Sequence, residues 1–170
     1  MSYLEKIEQR LVALAGTVTG AVSRGGPAQT LTIGAPAAEV ERFWREPDKL
    51  SAVFDGVADV HETGPGRYRW TFPHAPDQAA WDTELLAEGG GLRFVGIEDD
   101  DSGRRGPQIR LTFRDAPHDL GTEVTLYART PLPDILTGPA VFAVLYRARA
   151  LLQTGEIPTL AHNPSARAAH

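Results

Sequence analysis

A change of period constrains this chain more than any other feature. From 57 to 129 apolar and polar residues alternate in segment after segment, separated by short turns rich in glycine, proline and aspartate. From 134 to 154 the apolar residues recur at helical spacing instead. Strands joined by short turns build an antiparallel sheet, and such a sheet has one apolar face that must be covered. The stretch 134–154 is the element long enough to cover it. Its expected apolar side carries Val141, Phe142, Leu145, Tyr146, the stem of Arg149 and Leu152. Asp134 is the expected N-cap and Gly155 the left-handed end. Gly138-Pro139 breaks the first turn, so the regular helix is expected from Pro139, where the missing N–H costs nothing.

Ahead of the alternating region, 29–33 reads as a first strand. Pro36 opens a short helix with Val40, Phe43 and Trp44 on one face, and Pro47 ends it. A second short helix is expected over 48–54, capped by Asp48. Strands follow over 57–62, 67–72, 81–87, 92–98, 108–114 and 122–129. Tyr68, Trp70 and Phe72 share one face of theirs, and Trp81, Thr83 and Leu85 share one of theirs, with Asp82 and Glu84 opposite. Gly89-Gly90-Gly91 lies between two strands and reads as a hairpin turn, and Asp99-Asp100-Asp101 as a solvated hairpin tip without the glycine spacing of a calcium loop. The fold class is therefore α+β: a curved seven-stranded antiparallel β-sheet wrapped around a long C-terminal helix, with two short helices between strands 1 and 2.

Three units follow along the 170 residues. Residues 1–28 hold an amphipathic helix at 3–15, with Leu4, Ile7, Leu11 and Leu14 in one stripe, and a linker around Gly25-Gly26-Pro27. A helix that short is marginal alone and is expected to dock on the domain, on a second copy or on a partner. Residues 29–156 are the domain, and 157–170 a polar, proline-containing tail expected to be disordered.

Composition excludes several functions. The net charge of −5, with lysine only at Lys6 and Lys49, argues against a nucleic-acid partner. No apolar run is long enough to span a bilayer, and the absence of cysteine removes thiolate chemistry and disulfides, as fits a cytoplasmic protein. The five histidines, among them His61, His74 and His118, lack ligand spacing, so no metal is expected. The sequence also lacks a nucleophile elbow, a phosphate loop and a dinucleotide fingerprint, and no cofactor is expected.

Several motifs resemble a known family. They are Leu31-Thr32-Ile33-Gly34-Ala35-Pro36-Ala37-Ala38-Glu39-Val40 with Phe43-Trp44, and Pro47-Asp48-Lys49-Leu50. Further along come Trp81-Asp82-Thr83-Glu84, Gly121-Thr122-Glu123-Val124-Thr125 and Leu151-Leu152-Gln153-Thr154-Gly155-Glu156. Across residues 29–156 the chain resembles the polyketide cyclase/dehydrase group of the START-like (SRPBCC) superfamily. The resemblance implies the helix-grip fold of the birch-pollen-allergen type of lipid carrier. It does not select an activity, because that superfamily holds cyclases, hydroxylase components, carriers and receptors. Leu132-Pro133 and Gly138-Pro139 depart from the uninterrupted helix usual in that group.

On that plan Trp44, Phe54, Tyr68, Trp70, Trp81, Phe94, Phe113, Phe142 and Tyr146 surround one interior and are the expected ligand-binding residues. The leading expectation is a carrier or sensor for a small hydrophobic molecule, lipid or polyketide-like, held between sheet and helix. The alternative is a polyketide-type aromatase/cyclase, with an acid–base group drawn from His61, His74, Asp82, Glu84 and Tyr68, among which no catalytic pair stands out. A third reading is an interaction protein with a filled core, acting through its N-terminal helix or as a homo-oligomer. A cavity of several hundred cubic ångströms would dismiss the third.

Overall fold

A computed structural model describes residues 28–97, 106–132 and 135–157. The expectations for the N-terminal helix, the acidic tip at 99–101 and the tail beyond 157 lie outside these residues.

The described chain runs β1 (Ala28–Ile33), α1 (Ala37–Phe43), α2 (Pro47–Val53), β2 (Asp59–Gly64), β3 (Arg67–Thr71), β4 (Ala80–Glu88), β5 (Gly91–Gly96), β6 (Gln108–Asp115), β7 (Thr122–Arg129) and α3 (Gly138–Thr154). The strands form one seven-stranded sheet in the order β1-β7-β6-β5-β4-β3-β2 with antiparallel pairing throughout. Thus β2 to β7 form a meander, and β1 returns from the start of the chain to pair with β7, placing Leu31 opposite Val124.

Period two puts every second side chain on the concave face. Tyr68 and Trp70, Trp81 and Thr83, Leu92 and Phe94, Ile109 and Leu111, Val124 and Leu126 are all buried there. α3 packs over this face, closest to β1 and β7 and touching α2, through Val141, Val144, Leu145 and Ala148.

Element ends differ from the sequence expectation in ways the prolines explain. Regular helix begins at Gly138, within one residue of the expected start at Pro139, but Thr137 holds the cap position expected of Asp134. The ring of Pro139 would clash with a helical carbonyl one turn back. Asp134 lies outside the described residues. α2 starts at Pro47 as its first helical residue, with Glu46 at the cap position and no side-chain cap from Asp48. β2 starts at Asp59 and not at 57, because the amides of Val57 and Ala58 both donate to the Phe54 carbonyl and finish the α2 turn first.

Three polar contacts hold the small helices and α3 in place. Ser51 Oγ accepts from the Val60 amide at 2.8 Å and donates to the Val60 carbonyl at 2.9 Å, so an α2 side chain takes the place of a neighbouring strand along the β2 edge. Arg147 reaches from α3 to the carbonyls of Val53 and Asp55, at 3.2 and 3.0 Å, where the end of α2 leaves acceptors unpaired. At the far end of α3, Gln153 Oε1 accepts from the Gly34 amide at 3.0 Å, and Gly155 closes the helix at φ 74°. The Leu151-to-Glu156 motif is therefore a clasp between the last helix and the turn after the first strand.

Candidate functional site

The expected site residues separate into three groups. Trp44, Phe54, Tyr68, Trp70, Trp81 and Phe94 are all buried in the core. Phe113 is partly buried against it. Phe142 and Tyr146 correct the expectation: they are 44% and 41% exposed, on the outward side of α3, and stack on each other at 6.5 Å. The sheet-facing stripe of α3 is Val141, Val144, Leu145 and Ala148, one residue out of phase with the stripe carrying the rings.

The buried rings pack on one another. Trp70 lies at the centre, edge-on to Phe54 at 5.1 Å and to Phe94 at 5.4 Å, and tilted against Trp81 at 6.1 Å. Tyr68 meets Phe94 edge-on at 5.3 Å, and Phe43 meets Trp44 at 5.5 Å. These are favoured aromatic geometries. Two polar tips are satisfied from within: Trp70 Nε1 donates to Thr83 Oγ1 at 3.0 Å, and the Tyr68 hydroxyl donates to the Arg45 carbonyl at 2.7 Å. Burial is the main influence raising the Tyr68 phenol above its ordinary pKa, and the Glu62 carboxylate adds to it. Trp44 Nε1 is buried with no acceptor among the described residues.

Of the acid–base candidates only Tyr68 belongs to this cluster, and its hydroxyl is already engaged by the Arg45 carbonyl. His61, His74, His118 and Glu84 are exposed. Asp82 faces away from the core as strand parity predicts and accepts two hydrogen bonds from Arg69, at 2.7 and 2.9 Å. Those bonds hold its carboxyl below the usual carboxylate range. Among the described residues no cluster of His, Asp and Glu could hold a metal ion, and no helix is long and apolar enough to cross a membrane.

A cavity of about 180 Å³ opens beside the ring cluster, lined by Gly56, Val57, Phe72, His74, Ala75 and Ile135. None of the nine expected ligand residues lines it, and its volume is below the several hundred cubic ångströms that would have dismissed the filled-core reading. Its walls come from three places: the turn after α2, the end of β3 with its following loop, and the approach to α3. Arg147 fixes the first wall through the Asp55 carbonyl. The second is shaped by the Ala75 amide donating to the Phe72 carbonyl and by left-handed backbone at Asp77 and Gln78. His74 is the one ionisable side chain in the described lining. Sequence offered one signal for this place, the Pro73-to-Asp77 interruption between two strongly alternating strands.

No protein-family model and no curated protein matches the sequence. Solved structures do match. A Deinococcus radiodurans protein, DR_A0006, superposes with a TM-score of 0.60 at 24% identity, over 76% of this chain and 98% of that one. The di-domain ARO/CYC StfQ of the steffimycin biosynthetic pathway superposes with a TM-score of 0.53 at 14% identity, over 74% of this chain and 44% of StfQ. The chain has the helix-grip fold. The Aha1 dimer of Colwellia psychrerythraea shares the same helix grip, with a TM-score of 0.52 at 11% identity over 76% of this chain and 97% of that one. Likeness at this level carries the architecture and not the activity.

Proposed function

We infer that the protein binds a small apolar molecule in this cavity, as a carrier or sensor. The observation that carries the reading is the lining itself: Val57, Phe72, Ala75 and Ile135 surround the space with His74 as a single ionisable partner. A mainly apolar wall with few polar groups is how small-molecule sites are built. The volume selects the ligand. An apolar cavity of roughly 150 Å³ accepts a benzene ring, whereas drug-sized ligands occupy about 300–1,000 Å³. At about 180 Å³ the site suits one ring with a short substituent, which His74 would meet with a hydrogen bond to a hydroxyl or carboxylate. A long acyl chain would exceed that volume and would have to extend into solvent from the open side. A ring-closing reaction would need an acid–base group and a separate donor to polarise a carbonyl. The described lining supplies His74 for the first role, which favours binding over cyclisation.

Calorimetric titration of the full-length protein with phenol, 1-naphthol and palmitate tests this, alongside Ala75→Trp, which places an indole in the cavity. Phenol or naphthol should bind and palmitate should not, and Ala75→Trp should abolish binding while leaving the unfolding midpoint close to the parent's. At a hundredfold excess over Kd the ligand adds about 2.7 kcal/mol, a rise in Tm of roughly 5–10 °C for a chain of this size. Equal binding by parent and Ala75→Trp, or tight binding of palmitate, would refute the assignment.

A further inference from the structure

The three walls of the cavity are held in unequal ways. The turn after α2 is tied to α3 by Arg147, through the carbonyls of Val53 and Asp55. Ile135 is followed by Leu136, which is buried in the core at the approach to α3. The third wall is the loop 73–79, which contributes His74 and Ala75. Among the described residues, every hydrogen bond of this loop stays within 72–79. The Phe72 amide donates to the Ala79 carbonyl at 3.0 Å, and the Ala75 and Gln78 amides donate to the carbonyls of Phe72 and Ala75, each at 3.2 Å. Pro73, His74, Pro76, Asp77 and Gln78 are exposed, and Ala75 is the loop residue packed against the core. Apolar contact at one small side chain therefore holds this wall against the other two.

The backbone of the loop is strained as well. Asp77 and Gln78 are consecutive residues other than glycine with φ of 59° and 48°, in the left-handed region that disfavours a side chain, glutamine more than aspartate. We propose that 73–79 is a lid, hinged on the Phe72–Ala79 pair, which lifts from Gly56, Val57 and Ile135 to admit the ligand and closes over it; this rests on the cavity being the binding site. Pro73 and Pro76 each fix their own φ, so the loop swings as one piece. Opening forfeits the burial of a single methyl-sized side chain and relieves the strain at Asp77 and Gln78. A bound ring adds apolar contact to Ala75 and so favours the closed position. The lid thus closes in response to its ligand.

Gln78 does not line the cavity, so a substitution there reaches the ligand through the loop alone. Gln78→Val puts a β-branched residue at positive φ and favours the open lid, whereas Gln78→Asn tolerates that region and favours the closed one. Dissociation of 1-naphthol from the full-length protein, followed by stopped-flow fluorescence, should be about tenfold faster in Gln78→Val and slower than the parent in Gln78→Asn. Amide hydrogen exchange reads the same motion without ligand: the Ala75 amide should exchange ahead of the Phe72 amide at the hinge, and faster in Gln78→Val than in the parent. Release at the parent's rate from both variants, with binding intact, would overturn the lid and leave the cavity as the binding site. Faster release from both variants would mean a loss of fit and not a shifted hinge, and would also overturn it. Failure of the parent to bind 1-naphthol would remove the cavity reading, and the lid with it.

Discussion

The hydrogen bond between Trp70 and Thr83 decides whether the aromatic interior is a finished core. Both side chains are fully buried, and Thr83 Oγ1 is the acceptor 3.0 Å from the indole nitrogen. Thr83→Val keeps the shape of the side chain and removes that acceptor. The indole N–H is then buried without a partner, which costs about 1–3 kcal/mol. Trp70→Phe removes the donor and some packing; its cost should fall below the roughly 3–5 kcal/mol of truncation to alanine. In the double variant Thr83→Val leaves no indole N–H unsatisfied, so the two losses should not add. A coupling of about 1–2 kcal/mol is expected, within the range for residues in direct contact. Urea unfolding followed by far-ultraviolet circular dichroism measures it, with an unchanged m-value as the condition for comparison. A coupling below roughly 0.5 kcal/mol, the scatter of independent sites, would mean that the indole is satisfied elsewhere. The internal account of this core would then be wrong.

Other expectations follow from single residues. Gly121→Ala should prevent folding or lower Tm severely by thermal melt, because a Cβ there overlaps the Ile33 carbonyl oxygen and φ is +115°. The raised pKa of Tyr68 stabilises the fold fully below the ordinary phenol value and is lost as pH rises through the raised one. A phenol phase above the ordinary tyrosine range should accordingly be absent from the ultraviolet titration of Tyr68→Phe, which should also cost about 0.5–1.5 kcal/mol for the bond to the Arg45 carbonyl. Asp82 carries the opposite sign: its lowered pKa stabilises above the ordinary carboxylate range and the effect fades as pH falls through the lowered value. Asp82→Asn should therefore differ from the parent at neutral pH by a small amount that added salt reduces, and should converge with it in acid, as measured by denaturant midpoints.

The sheet was readable because alternation is a strong signal. Within each described strand from β3 to β7 alternate residues face one side, and the register keeps that parity, with Trp70 opposite Trp81 and Leu111 opposite Leu126. The helix was readable as an element but not in its rotation. Val141, Leu145 and Ala148 form one stripe, Phe142, Tyr146 and Arg149 form another, and the two lie about 100° apart. The expected apolar side merged the two, so it held Val141 and Leu145, which face the sheet, together with Phe142 and Tyr146, which do not. The smaller residues win because β1 and β7 approach the helix closely, leaving room for valine and alanine against the sheet. The site was less readable still. Whether Trp70 lines a pocket or fills one depends on how far Phe54 and Phe94 reach across the sheet, a matter of summed volume that no local pattern encodes. The cavity lies instead at Val57, Phe72 and Ala75, where strand ends meet turns and alternation alone does not say what space the turns leave.

The pairing of β1 with β7 also has a consequence for the order in which the protein is made. Thr30 lies 95 residues ahead of its partner Thr125. At about 5–20 residues per second, synthesis of that interval takes roughly 5–20 s. For all of that time Leu31 and Ile33 have left the ribosome without the strand they pair with, while β2 to β6 can close hairpin by hairpin as they emerge. Of the seven described strands, the first made is thus the last to find its partner.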